Sequence, residues 1–418
     1  MTVPTPDVDL AARLFTTLRQ QTTGAIGVTR DSYGAGEQAA HDLVAEVAAD
    51  LGLERAVDPA GNQYVTLPGV DRGAPSTLVG SHLDSVPEGG NFDGAAGVVA
   101  GLAVLAGFRR DGVVPPTDTT VMAIRAEESA WFDVSYAGSS AALGLLGPGA
   151  LDVRRSDTGR SLADHLVEDG FDPEWIRAGH RWLDPARIAR FMEVHIEQGP
   201  VLEAEGVAVG IVTGIRGCLR HRTARAFGGY GHSGALPRHL RRDAVAATVE
   251  LLTALDASWD RRLAAGEDLN VTVGELSTDP VLDGPSRVAG ETRFVIDLRS
   301  LDDAPMFGVS DEVQALAAEI GDRRGVRFDL GARTHSPPAR LDPAGIAELT
   351  RQAAGLGIAT LQLASGAGHD SALFASQGIA TNMIFIRNAN GSHNPDEAMD
   401  LDDFALAAHL LAAAISRS

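Results

Sequence analysis

Hydrophobic and polar positions in the first half of the chain alternate between amphipathic stretches and short apolar runs. The spacing predicts helices over residues 37–51 and 94–109 and strands over 76–81, 119–126 and 191–196, each bounded by Gly, Pro or charged residues. Such alternation argues for β-α-β units around a largely parallel sheet. From about Gly214 the pattern changes. A strand over 221–227, a helix over 240–255, strands over 269–276 and 291–299, a helix over 311–320 and a strand over 326–330 follow in the ferredoxin-like order β-α-β-β-α-β. An apolar strand over 379–386 and a closing helix over 402–415 return to the first pattern. The expected fold class is therefore α/β, one domain comprising residues 1–213 and 331–418, with an α+β domain, 214–330, inserted in it.

Composition narrows the function classes. With 418 residues, 44% apolar and 22% charged, the chain can bury a sizeable core. Its 35 Lys and Arg against 56 Asp and Glu give a net charge of -21, which repels phosphate backbones and anionic lipids. Neither nucleic acid nor a membrane is an expected partner. Cys218 is the only cysteine, so an intrachain disulfide and a cysteine-rich zinc finger are excluded, which suits a reducing cytoplasm. The N-terminal region carries Asp7 and Asp9 rather than a basic start, and no run approaches the roughly 20 apolar residues of a membrane helix.

The densest chemistry lies in GSHLDSVPEGGNFDGAAGV, residues 80–98. His82 and Asp84 end an apolar strand at i, i+2 and point the same way, and Asp93 follows at a helix start. Glu127 and Glu128 come just past the strand TTVMAIRA. Adjacent carboxylates there repel unless cations or protons compensate, so one can ligate metal while the other serves as general base. His195 ends a strand in MEVHIEQGPVLE, and His393 sits in the loop NGSHNPDE after the apolar NMIFI. Singly, Asp93 could be a helix cap and the Glu pair a solvated loop; their convergence at strand ends favours a site.

Together His82, Asp93, Glu128, His195 and His393 form a nitrogen and oxygen set without thiolate. Such donors suit zinc, manganese, cobalt or nickel in a catalytic role better than a structural zinc site. Five ligands exceed the needs of one catalytic ion. A carboxylate shared between two ions about 3.5–4 Å apart accounts for the surplus, with Asp93 the natural bridge. A serine hydrolase is excluded, because GHSGA has no Gly two residues after Ser233 and so no nucleophile elbow.

At this point the chain resembles the hydantoinase/carbamoylase family of metal-dependent amidases, relatives of the aminoacylase and carboxypeptidase G metallopeptidases. The resemblance runs through GVTRDSYG, DPAGNQYVTLPG, GSHLDSVPEGGNFDGAAGV, AEES, HIEQGPVLE, GHSG, RRDA, SGAGHD and SHNPDE. It implies a metallopeptidase-like catalytic domain and an inserted lid and dimerisation domain, hence a homodimer. It also implies that His82, Asp93, Glu128, His195 and His393 hold two divalent ions, that Asp93 bridges them, that Glu127 is the general base and that Asp84 orients His82. Asp84 can accept the free N–H of His82, the partner that a ligating imidazole usually has. His232, in GGYGHSGALP, would polarise the scissile carbonyl, while Gln198, Arg299 and His369 would contact substrate, Arg299 gripping a carboxylate.

Two positions depart from the family pattern. Ser286 stands in SRVAG where many relatives have Asn, and Arg216 stands in TGIRGCLRHR where many have a small residue. Both are candidate substrate contacts that could shift choice toward more acidic molecules. The activity implied is hydrolysis of an N-carbamoyl-L-amino acid or a similar ureido or amide acid, releasing ammonia and carbon dioxide. Allantoate amidohydrolase and β-ureidopropionase are the near alternatives; a dipeptidase or aminoacylase, or an inactive binding protein, is more distant.

Overall fold

The computed structural model describes residues 3–416. The chain divides into two compact units, one running to Thr213 and resuming at Arg340, the other Gly214–Ala339.

In the first unit a mixed sheet has at its centre the strands Thr119–Ile124, Ser76–His82, Ile188–Ile196 and Thr381–Ile386, paired in that order and all parallel. Gln63–Leu67 on one side and Val209–Ile215 on the other add antiparallel neighbours. The central strands are buried throughout or nearly so, as expected of apolar runs covered on both faces. The helix Ala95–Arg110 is buried from Ala95 through Phe108. It crosses the sheet at Gly97, where a Cβ would lie 2.1 Å from the Val194 carbonyl oxygen. Val8–Thr22, Ala35–Asp50 and Leu401–Ile415 complete this side of the core.

Register aligns the carboxyl ends of the central strands: His82 pairs with Ile124, and Phe385 with His195. Ligand sites of open parallel sheets lie at such ends. The strand expected to reach residue 126 stops at Ile124, because the backbone N–H of Ala126 turns away to the buried Glu37 carboxylate (2.8 Å) and Ala126 takes a positive φ of 49°.

The second unit has the strand order Arg327–Asp329, Gly217–Phe227, Glu291–Ser300, Asn270–Thr278, all antiparallel. The helices Ala244–Ala264 and Asp303–Arg324 pack through Leu251, Leu255, Met306, Val309 and Val313 onto Leu219, Phe294, Ile296 and Leu298. The insertion expected to close at residue 330 runs on, because Arg333–Ser336 adds an exposed strand to Gly217–Phe227. That strand is polar, RTHS, and so carries no hydrophobic periodicity. No helix among the described residues is long and apolar enough to cross a membrane.

Candidate active site

Two donor sets meet at the carboxyl ends of the parallel strands. His82, Asp93 and His195 offer ligand atoms within 4.8 Å of one another, and so do Asp93, Glu128 and His393. The sets share Asp93, which is 3% exposed. Its Oδ1 lies 3.2 Å from His195 Nε2 and 3.9 Å from His82 Nε2, while its Oδ2 lies 3.2 Å from His393 Nε2. Glu128 completes the second set at 3.1 Å from His393 Nε2. The first set is buried; His393 retains 49% side-chain exposure.

Local chain geometry explains the convergence. His82 and His195 come from adjacent parallel strands. Asp93 precedes Gly94, whose φ of +65° turns the chain into its helix and where a Cβ would lie 2.4 Å from His82 Cε1. No other residue type would leave the imidazole its place. Each buried imidazole is fixed through Nδ1: His82 against the Asp84 carbonyl (3.0 Å) and carboxylate (3.3 Å), His195 against the Ile196 carbonyl (2.9 Å). With Nδ1 as donor, Nε2 is left with its lone pair directed at Asp93, the tautomer a cation needs.

Asp84 does more than face His82. It is fully buried, its Oδ1 accepts the backbone N–H of Glu127 and its Oδ2 that of Glu128, both at 3.1 Å, and Ser32 Oγ donates to Oδ2 at 2.7 Å. One carboxylate thereby sets the Glu127–Glu128 turn relative to His82. Glu127 is buried, and burial pushes its carboxyl well above the usual range, with the Glu128, Asp370 and Asp84 charges adding and His82 opposing.

Gln198, at φ +63°, points Nε2 at both Asp93 oxygens (3.2 and 3.0 Å), and its buried Oε1 has no hydrogen-bond partner among the described residues. His369 is buried with its ring 4.5 Å from that of His195, and burial holds its pKa well below the usual value, aided by His195. In the second unit His232 is exposed, and its Nδ1 accepts the N–H groups of Gly234 and Ala235, both at 3.1 Å. Ser286 adjoins it: the ribbon pairs Arg287 with His232, and the Ser286 carbonyl accepts from Ser233 N at 2.8 Å. Arg299 bonds Asp297 through Nε (3.0 Å) and Nη2 (3.3 Å). Arg216, an expected substrate contact, forms a forked ion pair with Asp268, whose Oδ2 also accepts the Leu301 N–H.

Several residues here went unassigned from sequence. Arg220 shares Asp297 with Arg299, at 2.6 Å. Glu193, two residues before His195, accepts from Ser371 N, Ser371 Oγ and Ser81 Oγ beneath the site. Asp370 stands beside His369 with Oδ2 unpartnered among the described residues; burial and the Glu193 charge push its pKa up to about 8, against a hydrogen bond from Ser139. Arg30 and Glu397 lie within the motifs GVTRDSYG and SHNPDE, where nothing in their spacing signals a role.

A profile of the peptidase family M20/M25/M40 matches residues 78–417. The chain is 37% identical over 391 residues to an N-carbamoyl-L-amino acid amidohydrolase of Geobacillus stearothermophilus, covering 92% of each. It is 31% identical to allantoate deiminase 1 of Glycine max, covering 87% of this chain and 80% of that one. In three dimensions it superposes on a hydantoinase/carbamoylase family amidase from Burkholderia multivorans with a TM-score of 0.90 at 26% identity, covering 100% of this chain and 98% of that one. With the family profile spanning most of its length and these relatives matched nearly end to end, the chain belongs to peptidase family M20/M25/M40, within its hydantoinase/carbamoylase amidase branch.

Proposed function

We propose that the protein hydrolyses the ureido C–N bond of an N-carbamoyl-L-amino acid or similar ureido acid, releasing ammonia and carbon dioxide. The observation that carries this reading is the sharing of Asp93 by two donor sets beside a buried carboxyl, Glu127. Four imidazole or carboxylate partners around one carboxylate, with no thiolate, fit two divalent cations of the zinc, manganese, cobalt or nickel type. His82, Asp93 and His195 would hold one, and Asp93, Glu128 and His393 the other. When bound, such ions supply Lewis-acid polarisation of the carbonyl and of the attacking water. Glu127, a buried carboxyl beside both donor sets, takes the water proton and returns it to the departing nitrogen.

His232, Arg299 and Gln198 are read as substrate-directed. Because Nδ1 of His232 accepts two N–H groups, its ring proton sits on Nε2, an N–H donor suited to a carbonyl oxygen that gains charge. Asp297 aligns the Arg299 guanidinium, whose fork matches a substrate carboxylate. Ser286, beside the His232 loop, is read as tuning that contact, and His369, buried beside His195, as a further substrate contact.

The second unit is read as lid and dimerisation domain. Its outer strand Asn270–Thr278 is largely exposed and carries Val273 and Leu276 at 37% and 52% exposure, an open apolar edge that a second copy would cover. A cytoplasmic enzyme is the setting that fits one lone cysteine and a charge of -21. Allantoate amidohydrolysis is the second reading, favoured by the similarity to allantoate deiminase 1. Ammonia release by metal-reloaded protein from N-carbamoyl-L-amino acids, allantoate and β-ureidopropionate, with free amino acid followed for N-acetyl amino acids, which yield acetate and no ammonia, distinguishes these. N-carbamoyl-L-amino acids should turn over fastest; activity confined to N-acetyl substrates would reject ureido hydrolysis.

A further inference from the structure

A bridging carboxylate must present both oxygens at once, so the peptide groups on either side of it have to be held. Both are held here by buried charges outside the two donor sets. The N–H of Asp93 (3.2 Å) and that of Phe92 (2.8 Å) donate to Glu397 Oε1, and the Asp93 carbonyl accepts from Arg30 Nη2 at 3.3 Å. Arg30 is fully buried, its Nε donates to the Leu83 carbonyl at 2.6 Å, and Glu397 is 2% exposed. The carboxylate packs so tightly on this loop that a Cβ at Gly90 would lie 2.1 Å from Glu397 Cδ.

Glu397 also reaches the second donor set. Its Oε2 accepts from Ser392 Oγ at 2.7 Å, and the same hydroxyl lies 2.7 Å from Asp93 Oδ2. A hydroxyl has one proton to give, so Glu397 offers it an alternative to Asp93 and keeps the Asp93 oxygen available to a cation. Ser392 immediately precedes His393, which sits in a loop at φ +61°. His82 and His195, by contrast, are set by strand ends. We propose that Arg30 and Glu397 form a buried clamp that pins the backbone on both sides of Asp93 and, through Ser392, ties it to the His393 loop, making them positioning residues for metal binding. A buried acid and a buried guanidinium are costly to keep dry unless their hydrogen bonds are used, and every contact named here ends on the Asp93 loop or the His393 loop.

The inference rests on the two-cation reading, and the test separates the two. Full-length wild type, Glu397→Ala, Glu397→Gln and Ser392→Ala are stripped with chelator and titrated calorimetrically with manganese, with circular dichroism and melting of each metal-free form as the folding control. Glu397→Ala should weaken manganese binding about 10- to 100-fold, the usual effect of losing a partner behind a ligand, with the second ion affected more than the first. Glu397→Gln keeps an oxygen for the two N–H groups but turns the Ser392 proton toward Asp93, so it should lose less. Ser392→Ala should weaken the second ion alone. If Glu397→Ala does not fold, Glu397→Gln decides. Wild type binding two ions, with a folded Glu397 variant binding them equally well, overturns the clamp; wild type binding none overturns the metal reading itself.

Discussion

Glu127 and Glu128 are chain neighbours in contrasting surroundings. Both backbone N–H groups are held by Asp84, yet only Glu128 reaches His393, while Glu127 is buried with a raised pKa. Glu127→Gln should therefore keep its metal content and lose about 10²- to 10⁴-fold in turnover, whereas Glu128→Gln should lose metal affinity. Metal analysis alongside ammonia release checks this, and exchanged phenotypes would reverse the two roles. Asp370 supplies a pH signature. Its pKa rises from 3.8 to about 8 on folding, so between those values the folded state holds a proton that the unfolded chain has released, and stability falls as pH rises. Asp370→Asn has no such proton to hold. Its stability advantage over wild type should grow from pH 5 to pH 8, by no more than about 1.4 kcal/mol per pH unit, and level off above, as read by denaturant melts of the metal-free proteins. A pH-independent difference would contradict the assignment.

At the scale of elements, the site depends on how closely one helix lies on the sheet. Gly97→Ala gains about 1 kcal/mol of helix propensity but drives a methyl to 2.1 Å from the Val194 carbonyl, and overpacking of that kind costs about 1–3 kcal/mol or more. Net destabilisation is expected. Gly355→Ala, in the helix Pro343–Leu356 with nothing within 4 Å of the new methyl, should be neutral or stabilising by up to about 1 kcal/mol. Thermal melts of the two variants compare the terms directly. The same elements show what was legible in the sequence. Apolar runs announce the parallel strands, and residues at or just past their ends, His82, Glu128 and His195, lie around Asp93 because a parallel sheet brings its carboxyl ends together. Helix ends were less legible: Asp303–Arg324 starts eight residues before the expected 311, because its apolar face begins at Met306 behind charged Asp302 and Asp303. Arg216 could not be placed, since its partner Asp268 is distant in sequence and the pairing depends on tertiary structure alone. Arg30 and Glu397 are hidden for the same reason: apart from the Ser392 hydroxyl on Glu397, the contacts named above are to backbone groups of residues 83–93, which no spacing rule reaches.

At the scale of the whole molecule, the proposed reading gives the first unit a metal-dependent hydrolytic centre and the second unit substrate-directed groups. It predicts a homodimer by light scattering, and a His232→Ala variant that keeps its metal and its dimer but loses roughly 10²- to 10³-fold in kcat, as expected for removal of one donor to a developing oxyanion. A fully active monomer, or an unimpaired variant, would contradict the assignment to the second unit. The central claim, ureido hydrolysis by two cations sharing Asp93, is tested most directly by titrating chelator-stripped protein with manganese while following ammonia release from an N-carbamoyl-L-amino acid. No turnover is expected without metal, with a rise that saturates at two ions per chain; full turnover in the stripped protein, or saturation at one ion, would overturn two-cation ureido hydrolysis.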